Sequence, residues 1–385
     1  MGKSLVAALL ICGLLLTCMP LTINAAEPEI AAPSAVLMEA ATGTIVYEKN
    51  AHQQLPPASV TKIMTLLLVM EALDSGRIGW DDTVTASDTA AANGGSQVYR
   101  EAGETMSMDD MLKSVVVSSA NDCATALAEH VAGSESAFVA MMNERAAELG
   151  MQDTHFVNCT GLDDDPDAAQ HLTSAHDIAI MSRELLRHDK IKSYTTIWMD
   201  TVRNGAFGLS NTNKLVRFYN GTTGLKTGYT STAGHCLSAS AQRDGMELIA
   251  VVLHCSSSGE RFASAKQLLD FGFATYALAI PEPEEIVPTV PVVLGEVGAV
   301  VPVLQDNAPI LIEKGLKSAI TTHMEVAEAV KAPVEAGQRL GTLTLQANGQ
   351  PLAAIALVAP EAIAKLSWLQ ITKQLLSRLC FSAPA

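Results

Sequence analysis

What the chain has little of bounds it first. Charged residues make up only 17% of the 385 positions, while 48% are hydrophobic. The charge-rich, apolar-poor composition of a disordered chain is therefore absent, and a large core is available. Basic residues are the minority: 25 Lys and Arg stand against 41 Asp and Glu, a net charge of −16. With no basic face to offer phosphates, nucleic acid is excluded as a partner. Beyond the first 26 residues no apolar run reaches the ~18 residues of a membrane-spanning helix. Cysteine is sparse: Cys12 and Cys18 fall near the N-terminus, and Cys123, Cys159, Cys236, Cys255 and Cys380 are an odd, widely spaced remainder. That excludes a disulfide framework, and no pair has zinc-ligand spacing; these thiols read as small core hydrophobes. No metal or cofactor is expected.

The N-terminus reads as a secretory signal: Lys3, the apolar stretch Leu5 to Leu16, then Pro20 and the small residues Ala25 and Ala26. An uncleaved anchor is the alternative. A lipoprotein at Cys18 fits less well, because Thr17 is bulkier than that site expects. The chain is thus expected to work outside the cytoplasm.

At this length two domains are the prior. A hairpin is expected over Ser34 to Tyr47, turning near Thr42-Gly43. Helices are expected from Ser59, over Ser107 to Val131 with a break at Ser118 to Asn121, over Ser134 to Leu149 and over Thr173 to Arg187. Strands return over Gly221 to Ser257 around an Asp244-Gly245 turn, and a helix follows over Arg261 to Phe273. Strands, helices, strands, helix is the order of an α+β fold: an antiparallel sheet with helices packed on it. Pro281, Pro283, Pro288 and Pro291 open a second region of short Val/Leu/Ile segments with an Asn348-Gly349 turn, a small all-β domain. From Glu361 to Phe381 the tail reads as one amphipathic helix, with Trp368, Leu369, Ile371, Leu375, Leu376 and Leu379 on a broad face. Lys365, Lys373 and Arg378 make it basic in an acidic chain, the pattern of a membrane-surface anchor; a helix packed on its own domain is the bland reading. The expected division is 1–26 signal, 27–278 first domain, 279–359 β domain and 360–385 anchor.

Three short stretches carry chemistry together. Ser59-Val60-Thr61-Lys62 heads a helix that is apolar on most of its surface. Ser119-Ala120-Asn121 lies at a helix break, and Lys226-Thr227-Gly228-Tyr229 opens the later strands. Ser59 stands where a helix N-cap is expected, with Lys62 one turn on and on the same face. Alone, that is a cap and a first-turn lysine. Each stretch recurs by chance, but in this order they match the motif set of β-lactamases and penicillin-binding proteins. Acyl transfer needs a nucleophile, a base, an oxyanion site and a grip on the substrate. Ser59 supplies the hydroxyl. His52, His130 and His235 are not placed to make a Ser-His pair on that helix face. Lys62 can be the base only if neutral. Free lysine titrates near ~10.4, so holding it neutral near pH 7 destabilises the ammonium by roughly 4 kcal/mol, which burial and a second cation, Lys226, could supply.

Together with Pro56-Pro57-Ala58 before Ser59, Thr154-His155-Phe156-Val157-Asn158, Gly161-Leu162 and Thr173-Ser174-Ala175-His176-Asp177, these stretches identify a resemblance that covers nearly the whole chain. It is to the low-molecular-weight penicillin-binding proteins, serine-type D-alanyl-D-alanine carboxypeptidases, in the branch typical of spore-forming bacteria. Ala120 and Tyr229 depart from residues common there. The resemblance implies Ser59 as acyl-ester nucleophile, Lys62 as general base, Ser119 as proton relay and Asn121 as partner of Lys62 or the substrate amide. It implies an oxyanion hole from the backbone N–H groups of Ser59 and Tyr229. Lys226 and Thr227 would hold the substrate carboxylate, Gly228 would let the substrate backbone approach, and Arg261 would add to carboxylate binding. The implied partners are peptidoglycan stem peptides, β-lactams as covalent inhibitors, and the extracytoplasmic surface of the cell membrane through the C-terminal helix.

Two other classes compete. A β-lactamase usually deacylates with a loop Glu, and His155 to His171 contains none. A non-catalytic penicillin-binding sensor or scaffold would not require the intact trio. His171 and His176 beside Asp164, Asp165 and Asp167 match no metal spacing and read as a solvated loop. Cys123, close to Asn121, reads as packed rather than reactive.

Overall fold

The computed structural model describes residues 27–164 and 166–381, with side chains to residue 376; the expected signal segment and Asp165 lie outside the described residues. Five antiparallel strands form the central sheet: β1 (Ser34–Glu39), β2 (Ile45–Lys49), β3 (Thr222–Thr230), β4 (Gly234–Arg243) and β5 (Met246–Cys255). Their spatial order is β2-β1-β5-β4-β3, so the two ends of the domain's sequence meet in the middle and β3 lies at an edge. The two-residue period of a strand gives each face its own core. Ala35 and Leu37 of β1, with Leu248, Ala250 and Val252 of β5, pack on one side. Val36 and Met38, with Ile249, Val251 and Leu253, pack on the other.

The inserted helices cover that second face. They are α1 (Lys62–Asp74), α2 (Met108–Ser118), α3 (Asn121–Ala132), α4 (Glu135–Glu148) and α5 (Ala175–Leu186). The first face is covered by α6 (Ser258–Thr275). Serine starts four of the six: Ser107, Ser134, Ser174 and Ser257 each accept a backbone N–H from the first turn. Helix α1 is buried at every position except Glu71 and Asp74. Such a helix has no solvent face, and Glu71 leaves the interior by pairing with Arg145 at 2.8 Å.

The second region is β-rich. Its four-stranded sheet runs Val303–Leu304, Gln350–Val358, Arg339–Ala347, Ile320–Val326, with the Asn348-Gly349 turn in left-handed conformation at φ 51° and 76°. A three-stranded sheet sets Val290–Val293 between Ala299–Val300 and Val330–Lys331. The strand Tyr276–Ala279 straddles the boundary expected after residue 278 and pairs with Ile310–Glu313, stitching the two regions together.

The tail differs from the expected single helix. Residues 361–367 are docked on the β domain: Ile363 is buried and bridges Val334, and Lys365 bridges Gly295. Helix α7 begins only at Trp368, because Ser367 and Gln370 form a capping box. Gln370 N–H donates to Ser367 Oγ at 3.4 Å, and Ser367 N–H donates to Gln370 Oε1 at 2.7 Å. Trp368 and Leu369 are 85% and 82% exposed. Among the described residues no helix is long and apolar enough to cross a membrane.

Candidate functional site

Ser59 does not cap α1. It lies inside a 3-10 turn, Ala58–Thr61, that runs into α1 at Lys62. No side chain caps either the turn or the helix, which leaves the Ser59 hydroxyl for another partner. That partner is Lys62, whose Nζ stands 3.0 Å from Ser59 Oγ. Nζ also meets Asn121 Oδ1 at 2.6 Å and the Thr160 carbonyl at 2.8 Å. A neutral amine has two N–H donors and one lone pair. The two carbonyl-type oxygens accept the two donors, and the lone pair is left for the hydroxyl. Lys62 is fully buried, and burial lowers its pKa to about 7 against the pull of nearby Asp122. The Cys159 thiol is itself pushed well up by burial and so carries no charge to oppose this.

The second motif is held by the break between α2 and α3. Ser119 ends α2 in left-handed conformation, φ 64°, and is buried. Its Oγ accepts from Lys226 Nζ at 2.9 Å. Asn121 opens α3, and its Nδ2 donates to the Gly94 carbonyl at 2.7 Å, which fixes Oδ1 toward Lys62. Asp122 follows, and its buried carboxylate accepts the backbone N–H groups of Val98, Arg100 and Cys123, tying the 94–100 loop over this end of α3.

The third motif comes from the edge strand β3. Lys226 is buried and donates to Ser119 Oγ and, at 2.8 Å, to the Thr227 carbonyl. Burial and the nearby Lys62 and Arg261 hold its pKa well below the usual lysine range. Thr227 Oγ1 donates to Thr212 Oγ1 at 2.7 Å. Gly228 faces the nucleophile turn: a Cβ there would lie 2.6 Å from the Pro57 carbonyl oxygen and 3.1 Å from Ser59 N. Glycine at this position lets β3 press against the turn that carries Ser59. Tyr229 is 59% exposed at the rim and stacks on His235 with ring centres 4.3 Å apart.

The structure therefore gathers Ser59, Lys62, Ser119, Asn121, Lys226, Thr227 and Gly228 into one constellation. Arg261 sits behind it. The guanidinium is buried and donates through one nitrogen to the carbonyls of Gly228 (2.9 Å) and Cys236 (3.3 Å). It braces β3 from within the protein. His171 and His176 take structural partners: His171 lies against Thr61 and Val157, and His176 against Asp177 and His52. Among the described residues no group of His, Cys, Asp or Glu could hold a metal ion. Cys123 is buried, and burial raises its thiol pKa far above the reactive range.

Some participants were not legible in the motifs. The Thr160 carbonyl is a backbone acceptor, and only the neighbouring Gly161-Leu162 hinted at its loop. Thr212, the partner of Thr227, lies in the polar run Asn211-Thr212-Asn213. Asn213 supports the same strand, donating to the Gly224 carbonyl at 2.9 Å. A cavity of about 550 Å³ lined by Arg243, Phe273, Tyr276 and Lys314 lies at the joint of the two regions and touches none of these residues.

Known proteins are similar to this chain along almost its whole length. The profile of the peptidase S11 family, D-alanyl-D-alanine carboxypeptidase, matches residues 22–257. The profile of the penicillin-binding protein 5 C-terminal domain matches 281–365. D-alanyl-D-alanine carboxypeptidase DacF of Bacillus subtilis is 40% identical over 348 residues, 89% of this chain and 88% of its own length. Penicillin-binding protein 5 of Haemophilus influenzae superimposes with a TM-score of 0.77 at 30% identity, covering 88% of this chain and 99% of that structure. Penicillin-binding protein D2 of Listeria monocytogenes in its ampicillin-bound form gives 0.58 at 31% identity over 64% of this chain and 99% of its own.

Proposed function

The chain belongs to the peptidase S11 family of D-alanyl-D-alanine carboxypeptidases and carries the penicillin-binding protein 5 C-terminal domain, and on that premise we propose how its own residues divide the reaction. It is a serine-type carboxypeptidase that acts on peptidoglycan stem peptides and is acylated by β-lactams. Ser59 Oγ attacks the carbonyl carbon of the penultimate D-Ala while Lys62 Nζ takes the hydroxyl proton. The peptide C–N bond then breaks. The leaving D-Ala nitrogen receives a proton through Ser119, which Lys226 orients. The backbone N–H groups of Ser59 and Tyr229 stabilise the oxyanion. Lys226 and Thr227 hold the terminal carboxylate, whose charge favours the ammonium form of Lys226. Water hydrolyses the ester on Ser59, releasing the shortened stem peptide. Arg261 acts on β3 from behind.

The observation that carries this reading is the setting of Lys62: a buried amine with two acceptors for its N–H groups and the Ser59 hydroxyl at its lone pair. The test uses a diacylated Lys-D-Ala-D-Ala peptide and a labelled penicillin. Wild-type protein releases D-Ala and forms a lasting adduct on Ser59; Ser59→Ala does neither. D-Ala release by Ser59→Ala would overturn the assignment. Rapid penicillin turnover would turn the reading toward a β-lactamase.

For placement, we propose that the chain is exported and that α7 lies on the extracytoplasmic face of the cell membrane. Support comes from its exposed Trp368 and Leu369 and its basic residues. Truncation before Trp368 removes binding to anionic vesicles and leaves soluble-substrate turnover unchanged.

A further inference from the structure

Ala58, immediately before Ser59, is a buried non-glycine residue in left-handed conformation, φ 49°. A side-chain-bearing residue keeps such a backbone only where its surroundings enforce it. The enforcement here can be traced atom by atom. The backbone N–H of Val157 lies 3.0 Å from His171 Nδ1 and can only donate, so Nδ1 is the acceptor. The neutral ring then carries its proton on Nε2, which lies 2.8 Å from Thr61 Oγ1 and donates to it. The Thr61 hydroxyl proton goes to the Ala58 carbonyl oxygen at 2.9 Å. His171 and Thr61 are both buried.

The segment that supplies Val157 also meets the turn directly. Gly161 has φ 80°, and a Cβ on it would lie 1.9 Å from the Ala58 carbonyl oxygen and 2.6 Å from Thr61 Oγ1. One residue earlier, the Thr160 carbonyl accepts from Lys62. Two short antiparallel bridges, Leu55 with Thr173 and His155 with Leu172, hold His171 in register with both strands of this clamp.

We propose that His171 is a positioning residue for acylation: through Thr61 it fixes the Ala58 carbonyl, and so aims Ser59 Oγ at Lys62. This rests on the assignment of Ser59 as nucleophile and adds a group that touches neither substrate nor reacting atoms. Both histidine nitrogens are used, each with a defined direction, so substitutions that keep one nitrogen's role and lose the other separate the two.

The experiment measures labelled-penicillin acylation in two quantities, the fraction of sites labelled at long times and the rate constant at saturation. The fraction counts folded protein, and the rate reports positioning. Thr61→Val keeps the shape and loses the hydroxyl. It is expected to slow the saturated rate by roughly 10- to 100-fold, the scale for a small misplacement of a reacting group, with little change in the half-saturating concentration. Thr61→Ser returns the rate to within several-fold of wild type. His171→Gln, which keeps a donor toward Thr61, acylates faster than His171→Asn, which keeps only an acceptor toward Val157. A Thr61→Val rate equal to wild type overturns the proposal, as does equal impairment of Thr61→Val and Thr61→Ser. A role in folding alone would lower the labelled fraction and leave the rate of the remaining sites intact. An adduct in Ser59→Ala would instead break the reading beneath it.

Discussion

Two buried lysines lie within one constellation and are built for opposite ends of a reaction. Lys62 sits at the head of a helix with no solvent face, and its partners are an amide oxygen, a backbone carbonyl and a hydroxyl. Lys226 sits on an edge strand, with a hydroxyl and its own strand's next carbonyl as partners. Burial lowers both, and two ammonium groups so placed disfavour each other's charge. What separates them is their partners. The helix-head lysine is enclosed by groups that satisfy a neutral amine, whereas in the proposed mechanism the edge-strand lysine receives the substrate carboxylate, which favours its charged form. In that mechanism the same residue type thus serves as a base in one place and an anion receptor in the other, through its position in the fold and the partners found there.

The strongest way to break this comparison is Lys62→Met. Loss of a general base should lower acylation by roughly 10²- to 10⁴-fold, for peptide and penicillin alike; near-normal acylation would show that another group takes the Ser59 proton. Lys226→Gln should cost less, about 10- to 100-fold, in the range of one lost charged contact. It should also depend on the ligand. With a terminal carboxamide in place of the carboxylate, the Lys226→Gln deficit should shrink while the Lys62→Met deficit persists. Equal deficits on both ligands would mean that Lys226 serves the proton path alone.

A smaller effect sharpens the contrast. With Lys62 titrating at about 7, the wild-type acylation rate should rise with pH through that value as the neutral amine forms. Stability should show the same group. The unfolded chain binds a proton on this lysine up to about 10.5, and the folded chain only up to about 7. Stability therefore rises with pH across that window, by roughly 5 kcal/mol when the whole shift is counted. Below pH 7 the full cost of the buried amine is present. The melting-temperature advantage of Lys62→Met over wild type should accordingly shrink between pH 7 and 10. A difference independent of pH would remove Lys62 as the titrating group.

Much of this was legible before any coordinates. The three motifs meet in one place in the fold, and the Asp244-Gly245 turn marked the β4–β5 hairpin. What the residues could not disclose depends on contacts from far along the chain. Ser59 looked like a cap because it follows two prolines and heads an apolar helix; in the structure it lies in a 3-10 turn against which Gly161 of the 157–162 segment packs closely. Arg261 was expected to add to carboxylate binding; what the structure shows is its guanidinium on the buried carbonyls of Gly228 and Cys236, contacts that no motif announces. Gly228 was expected to admit a substrate backbone, and the close approach that the structure shows is by the chain's own Pro57. The tail helix was drawn too early, from Glu361 rather than Trp368, since the wheel cannot show that Ile363 pairs with Val334.

The sheet order carries a consequence for when this site can exist. Ser34 pairs with Leu253, so the first strand waits for the last strand of its domain before it has a partner on that side. The nucleophile turn and the edge strand are likewise far apart in the chain, and neither completes the other until β3, β4 and β5 are laid down together. Contacts of such separation form late, because the intervening loop must be ordered before they repay it. A chain cut between Asn121 and β5 would contain Ser59, Lys62, Ser119 and Asn121 and still lack the sheet against which they are aligned. Chemical competence in this protein therefore requires β3, β4 and β5 to be in place.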